Sequence, residues 1–364
     1  EWRRRFQGQV IGVTGTAGKT TVKEFLSSML STRDLVGKNH KNWNNQLGLP
    51  LSILGFSGKE AYWVLEAGVS EKGEMETLGS ILNPDLAILV NIGPCHLQGL
   101  GDLDGVAAEK CRLLQYVQPG GIGILGRDYP EIFSHLPERD DLQLLSFSTA
   151  ETGSLYSGTC VRTCSSQSVF LLNLEAGELE VTIPYPGRFM LENVLAAVST
   201  AEFLGLNFSN IREGLAAAPL PEHRCQIQDL GKFQIIDDCY NANPLAMKCA
   251  LSSAMEIKTS GPLVLILGEM KELGVYAPEA HRELGALAAQ TGCVQVIYYG
   301  SYRDEISSGL ERAGYGGTFA AVDNSREFLA AWRGGDVAEG TVLFKGSRGC
   351  GLEKFVEILV QELA

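Results

Sequence analysis

The sequence predicts an α/β fold in two parts. A phosphate-loop ATPase domain on a mostly parallel sheet occupies residues 1–218, with 1–9 as a linker, and a Rossmann-like α/β domain occupies 219–364. Three observations carry this prediction. A glycine-rich turn follows an apolar run and opens a helical pattern. Short apolar runs then alternate with helical patterns, the order required of parallel strands with crossover helices. A proline pair with polar neighbours, PLPE at 219–222, interrupts that alternation as a domain boundary does. The chain has 364 residues, 45% hydrophobic and 20% charged, enough apolar material for two or three cores and too much for disorder.

The first strand is expected at residues 10–13. After the turn GVTGTAGKTT at 12–21, Val22, Phe25, Leu26, Met29 and Leu30 recur at helical spacing. Further strands are expected at Tyr62–Glu66, 86–91, 122–125 and 142–147, with helices at about 75–82 and 104–116. A strand–turn–strand unit spans 167–183 with its turn at 175–177, and a helix follows near 191–204. In the second domain, strands are expected at 234–238, 263–267, 294–299 and 342–344. There is no internal repeat and no low-complexity segment.

The turn points to a nucleoside triphosphate. Gly15 and Gly18 let the backbone turn tightly, so that the amides through Thr16 and Ala17 face a phosphate at the positive end of a helix. Lys19 supplies a point charge to the β/γ-phosphates, Thr20 a hydroxyl ligand for Mg²⁺, and Thr21 continues the helix. The spacing departs from GxxxxGK[ST], because Val13 stands at the first glycine. Glu66 closes its strand, His96 lies five residues beyond Asn91, and Lys110 sits on the next helix. Functional groups gather at the carboxyl ends of strands in open α/β sheets. A carboxylate, an imidazole and a threonine hydroxyl together suit Mg²⁺.

The formal net charge of -13 argues against a nucleic-acid partner, and Arg3, Arg4 and Arg5 read as a solvated linker. No apolar run reaches the length of a membrane span, and no signal-peptide segment is present. Nine cysteines without a dense framework suit a reducing cytoplasm. Cys160 and Cys164 lack a second ligand pair and read as ordinary thiols. A cytoplasmic monomer is the expectation.

The order of motifs resembles the Mur ligase family, from the phosphate loop nearly to the C-terminus. TGTAGKT at 14–20 is similar to the family's TGTxGKT, and NNQLGLP at 44–50 to its NNxxGxP. Glu66, Ala67 and Gly68, then Gly73 and Glu74, resemble its ExG…GE element, and NIGPCHL at 91–97 its NxGxxHL. PGRFMLENVLAA at 186–197 is similar to PGxxNxxNxLAA, with Met190 where the family has its first Asn; Asn193 remains. His223, Arg224 and DDCYNANP at 237–244 complete the nucleotide set. YNANP at 240–244, GEMKELG at 268–274 with His281, and KGSRG at 345–349 resemble the branch that adds D-alanyl-D-alanine. The DNPR motif of the diaminopimelate- or lysine-adding branch is absent.

The resemblance implies an ATP-dependent amide ligase that activates a UDP-muramoyl-tripeptide carboxylate as an acyl phosphate and joins it to D-Ala-D-Ala. Lys19 would neutralise the γ-phosphate, while Thr20 and Glu66 hold a first Mg²⁺. His96 and Lys110 would serve a second Mg²⁺, with Lys110 converted by CO₂ to a carbamate because an ammonium cannot bind a cation. The alternative for Lys110 is a solvated helix lysine. Arg224 and Asp238, expected on either side of the second domain's first strand, would reach the γ-phosphate and the ribose, with Asp237 as the alternative at the ribose and Asn241 or Asn243 near the base. Asn44 and Asn45 would line the muramoyl-peptide path. Lys345, Ser347 and Arg348 would grasp the dipeptide carboxylate, unless they form only a surface turn. Folylpolyglutamate synthase, the ligase half of cyanophycin synthetase and a non-catalytic nucleotide-binding homologue are the competing readings. By the same resemblance, the chain is expected to lack a UDP-binding N-terminal domain of roughly 100 residues or fewer.

Overall fold

The computed structural model describes residues 2–150, 154–258 and 261–363. The chain forms two compact units. The first runs to Pro221, apart from Thr163–Gln167 and Tyr185–Gly187, which belong with the second; the second continues from Glu222.

The first unit carries nine strands: β1 (Gln9–Thr14), β2 (Val36–Lys38), β3 (Tyr62–Glu66), β4 (Leu86–Leu89), β5 (Ile122–Gly126), β6 (Gln143–Ser148), β7 (Tyr156–Thr163), β8 (Ser168–Leu174) and β9 (Gly177–Ile183). Their order in the sheet is β2-β3-β1-β4-β5-β6-β7-β8-β9. From β2 to β6 every pairing is parallel. Strands covered on both faces need near-continuous apolar runs, and Val10, Ile11, Val13, Val64, Leu65, Ile88 and Leu89 are all buried. The β8–β9 pair is antiparallel, and β9 alternates buried and exposed residues like a strand with one wet face. Strand order reverses at β1, with β3 on one side and β4 on the other. Such a switch point leaves a crevice outside the strands' carboxyl ends, where the ends of β1, β3 and β4 converge.

The second unit holds β10 (Gln226–Leu230), β11 (Phe233–Asp237), β12 (Leu263–Gly268), β13 (Gln295–Tyr299), β14 (Thr318–Val322) and β15 (Gly340–Lys345). They are ordered β10-β11-β15-β12-β13-β14, all parallel except the β10–β11 hairpin. Its core packs Ile235, Val264, Ile266, Val342 and Phe344 against Phe328 and Phe355, whose rings stack at 4.7 Å.

Three expectations need correction. The strand expected at 86–91 stops at Leu89, because Asn91 turns to bind the glycine-rich loop. The helix expected at 104–116 ends as an α-helix at Cys111 and tightens into a 3₁₀ turn over Arg112–Tyr116. Arg224 and Asp238 flank the whole β10–β11 hairpin rather than a single strand. Strands β2, β7, β10 and β14 escaped the sequence reading. The first is three residues long, β10 is a wet edge with the polar sequence QIQDL, and β14 is a half-exposed edge.

Candidate active site

The glycine-rich loop leaves the carboxyl end of β1 and turns at Gly18, whose φ of 80° is left-handed. A Cβ there would lie 1.9 Å from Asn193 Oδ1, so conformation and space both demand glycine. Helix Lys19–Leu30 starts at this turn with no side chain capping it, which leaves its first amides for an anion. Asn193 Oδ1 is buried beside the loop without a hydrogen-bond partner, while its amide nitrogen faces Met190 Sδ at 3.9 Å. Asn193 is therefore placed at the glycine-rich turn. Lys19 Nζ donates back to the carbonyls of Gly15 at 2.8 Å and Thr16 at 3.3 Å, holding positive charge against the loop.

Asn91, just past β4, braces the same loop. Its Oδ1 accepts from the amides of Thr16 at 3.1 Å and Ala17 at 2.8 Å. The Thr16 hydroxyl donates to the Gly93 carbonyl at 3.0 Å. Thr21 is buried on the helix one residue beyond Thr20.

Glu66 ends β3 and is 2% exposed. Its Oε2 accepts from the Thr20 hydroxyl at 2.8 Å and its Oε1 from Asn44 Nδ2 at 2.7 Å. Among the described residues no cation pairs with this carboxylate. A buried anion met only by neutral donors is costly, and a hard divalent cation fits the Thr20–Glu66 oxygen pair. Asn39 holds the strand end: its side chain accepts from the Glu66 amide at 3.0 Å and donates to the Glu66 carbonyl at 3.1 Å. Lys23, fully buried, fastens that segment by donating to the carbonyls of Asn39 and Lys41, each at 2.9 Å. The sequence reading passed over both residues, and only their polarity amid buried neighbours signals them. Asn44 and Asn45 serve separate ends, since Asn45 Oδ1 accepts from the amides of Leu47 and Gly48 at the start of helix Gly48–Leu54.

His96 immediately precedes the short helix Leu97–Leu100 in a left-handed conformation, φ 50° and ψ 33°, and is half-buried. A non-glycine residue held there stores strain, a common mark of functional segments. Lys110 is 1% exposed on helix Leu103–Cys111, which excludes the solvated-lysine alternative. Its amine makes no hydrogen bond or ion pair among the described residues. A buried ammonium without an acceptor is unfavourable.

Glu192, on helix Met190–Phe203, was not foreseen. Its carboxylate accepts from Asn91 Nδ2 at 2.5 Å and from the Tyr129 hydroxyl at 2.6 Å. Burial lifts its pKa from 4.5 to about 7, against the lowering effect of those two bonds. The folded protein therefore binds this proton where the unfolded chain has released it. Its stabilising contribution is complete below pH 4.5 and is lost as pH rises through about 7. Glu192→Gln, which carries no charge, should gain thermal stability relative to the parent between pH 5 and pH 8. A melting-temperature difference that stays flat across this range would contradict the assignment.

In the second unit, Lys345 ends β15 and is 3% exposed. Its ammonium is held by Asp238 Oδ2 at 2.9 Å and by the carbonyls of Asp238 at 3.0 Å and Asn241 at 2.8 Å. Asp237 instead meets His223 Nδ1 at 2.7 Å and Cys239 Sγ at 2.9 Å. Burial and Asp237 both push the Cys239 thiol up. Asn243 Oδ1 caps helix Pro244–Ile257 through the Ala246 amide at 2.8 Å, while Asn241 Oδ1 accepts weakly from the Arg348 amide at 3.4 Å. The guanidinium of Arg224 lies 4.2 Å from the centre of the Tyr240 ring. Ser347 Oγ accepts from the Lys271 amide at 2.9 Å, and the Arg348 side chain is exposed. Within the GEMKELG loop the Met270 amide donates to His281 Nε2 at 3.0 Å, while His281 Nδ1 donates to the Ala277 carbonyl at 2.7 Å. Burial pushes the His281 pKa down, in keeping with a neutral ring that pins the loop. All nine cysteines are free. Among the described residues, no helix is long and apolar enough to cross a membrane.

Known proteins give the same picture. Residues 13–201 match the Mur ligase middle domain and residues 223–348 the Mur ligase, glutamate ligase domain. The UDP-N-acetylmuramoyl-tripeptide--D-alanyl-D-alanine ligase of Bacillus subtilis is 30% identical over 97% of this chain and 76% of its own. A crystal structure of MurF from Acinetobacter baumannii superposes with a TM-score of 0.89 at 27% identity, over 99% of this chain and 78% of that one. MurF ligase from Thermotoga maritima in complex with ADP gives a TM-score of 0.84 at 26% identity, over 100% of this chain and 82% of that one. Matched along nearly its whole length in sequence and in fold, this chain belongs to the Mur ligase family.

Proposed function

We propose that the chain is an ATP-dependent ligase that adds D-alanyl-D-alanine to a UDP-N-acetylmuramoyl-tripeptide, a step of peptidoglycan precursor synthesis. The substrates follow from the relatives' names. One observation carries the chemistry: Glu66, buried and without a cation, bonded to Thr20 at the start of the phosphate-loop helix. ATP and the UDP-linked substrate place the reaction in the cytoplasm.

Phosphoryl transfer asks the protein for alignment and positive charge more than for covalent chemistry. The loop amides and Lys19 grip the phosphates of ATP. One oxygen of the peptide carboxylate attacks the γ-phosphorus, ADP leaves, and an acyl phosphate forms. The dipeptide amine then attacks the acyl carbon and loses a proton, and phosphate departs with a former carboxylate oxygen. Thr20 and Glu66 would hold a first Mg²⁺, and His96 with Lys110 as its carbamate would hold a second. Bound there, Mg²⁺ would neutralise charge on the phosphate and carboxylate oxygens. Lys110 suits carbamate formation, in which its neutral amine adds to CO₂ and releases a proton. In the second unit, Arg224 and Asp238 are the proposed nucleotide contacts, with Asn241 better placed than Asn243 to face a base, since Asn243 is spent on its helix cap. Arg348, exposed beside Ser347, is the proposed partner of the dipeptide carboxylate, while Lys345 acts through Asp238. The test is ADP release measured with both substrates present and with each omitted. Release that requires both supports the reading, and release indifferent to D-Ala-D-Ala contradicts it.

A further inference from the structure

We propose that Glu192 is a positioning residue of the phosphate loop, acting through Asn91. An asparagine amide has two distinct ends, and only the oxygen can accept from the loop. Here Asn91 Oδ1 takes the amides of Thr16 and Ala17, and its nitrogen is fixed by Glu192 Oε2 at 2.5 Å. A flip of Asn91 would set donor against donor at the loop and acceptor against acceptor at Glu192. The half-buried carboxylate thus selects one orientation and presets the two loop amides. The Tyr129 hydroxyl, donating at 2.6 Å to the other oxygen, locks the carboxylate plane.

Glu192 stands one residue before Asn193, whose Oδ1 packs on Gly18, so the same helix turn reaches the loop directly through Asn193 and indirectly through Asn91. Met190, three residues before Asn193, offers that amide only a thioether. The titratable groups acting on Glu192 are Tyr129 and Asp128, from the segment after β5. Asp128 is itself engaged by Ser148 and by Thr149. Neither offers Glu192 a positive charge, and the two neutral donors are what hold it in place.

This inference rests on the reading of the loop as an ATP site, and binding of Mg·ATP by calorimetry tests the two separately. At pH 8, above the value of about 7 for Glu192, its carboxylate in the parent is ionised, and in Asn91→Asp a second carboxylate beside it must repel it or share a proton. Glu192→Leu, which strands the Asn91 nitrogen, should weaken Mg·ATP binding roughly ten-fold or more. Glu192→Gln still offers a carbonyl to Asn91 and should stay within about two-fold of the parent by the same hydrogen-bond reasoning. Asn91→Asp places two acceptors face to face and should lose affinity. Combining it with Glu192→Gln restores a donor to the pair and should recover most of that loss. A merely structural role for Glu192 predicts no such reciprocal rescue. A double variant no better than Asn91→Asp alone overturns the proposal. So does unchanged binding in Glu192→Leu, or a loss in Glu192→Gln as large as in Glu192→Leu. Absence of Mg·ATP binding in the parent would overturn the nucleotide reading, and this inference with it.

Discussion

Glu66→Ala is expected to lower ligation on the order of a thousand-fold while the protein stays folded. The estimate follows from several kcal/mol of charge stabilisation lost with a metal ligand, at about 1.4 kcal/mol per ten-fold in rate. The motive is geometric: the carboxylate closes β3, is 2% exposed and bonds Thr20 at 2.8 Å. Alanine removes it and leaves Thr20 and Asn44 without their acceptor. Part of the loss is therefore local order rather than charge, and Glu66→Gln separates the two. The amide keeps an acceptor and the side-chain volume but removes the negative charge, so it should preserve the melting temperature and still lack activity. Steady-state turnover across a Mg²⁺ titration checks both variants. Normal turnover of Glu66→Ala at saturating Mg²⁺ would remove Glu66 from the site.

Lys110→Ala should be nearly as damaging, again on the order of a thousand-fold if a metal ligand is lost. Its amine is buried with no acceptor among the described residues, so no structural ion pair accounts for it. The variant opens a space of carboxylate size, so formate or acetate should restore part of the activity. A simple structural lysine would show no such rescue. Turnover close to the parent, or a crystal structure with an unmodified Lys110 in a fully active enzyme, would defeat the carbamate.

Much of the first unit was legible because its central strands are covered on both faces. Runs such as YWVLE at Tyr62–Glu66 must then be apolar throughout, and they end where polarity returns. The glycine-rich loop was legible for a related reason, since Gly18 satisfies both a left-handed φ and a 1.9 Å approach. Edge strands such as β10 pay no such burial constraint, so QIQDL carries no period to read. Site residues that act through others were hidden for a different reason. Asn39, Lys23 and Glu192 are tied to their partners 27, 16 and 101 residues away along the chain, and no local spacing encodes such pairs. Lys345 shows the converse. Its motif was visible, yet its ammonium points inward to Asp238 and Asn241, a direction that sequence does not specify.

The central claim is that a peptide carboxylate is activated by phosphorylation before the amine attacks. It is tested most directly by isotope transfer, using a UDP-linked tripeptide whose reacting carboxylate carries ¹⁸O in both oxygens. Reaction with D-Ala-D-Ala and Mg·ATP should deliver one labelled oxygen to inorganic phosphate for each amide formed, with the other kept in the new amide carbonyl. Phosphate free of label would contradict the account, because the γ-phosphoryl group would then have gone to water rather than to the carboxylate.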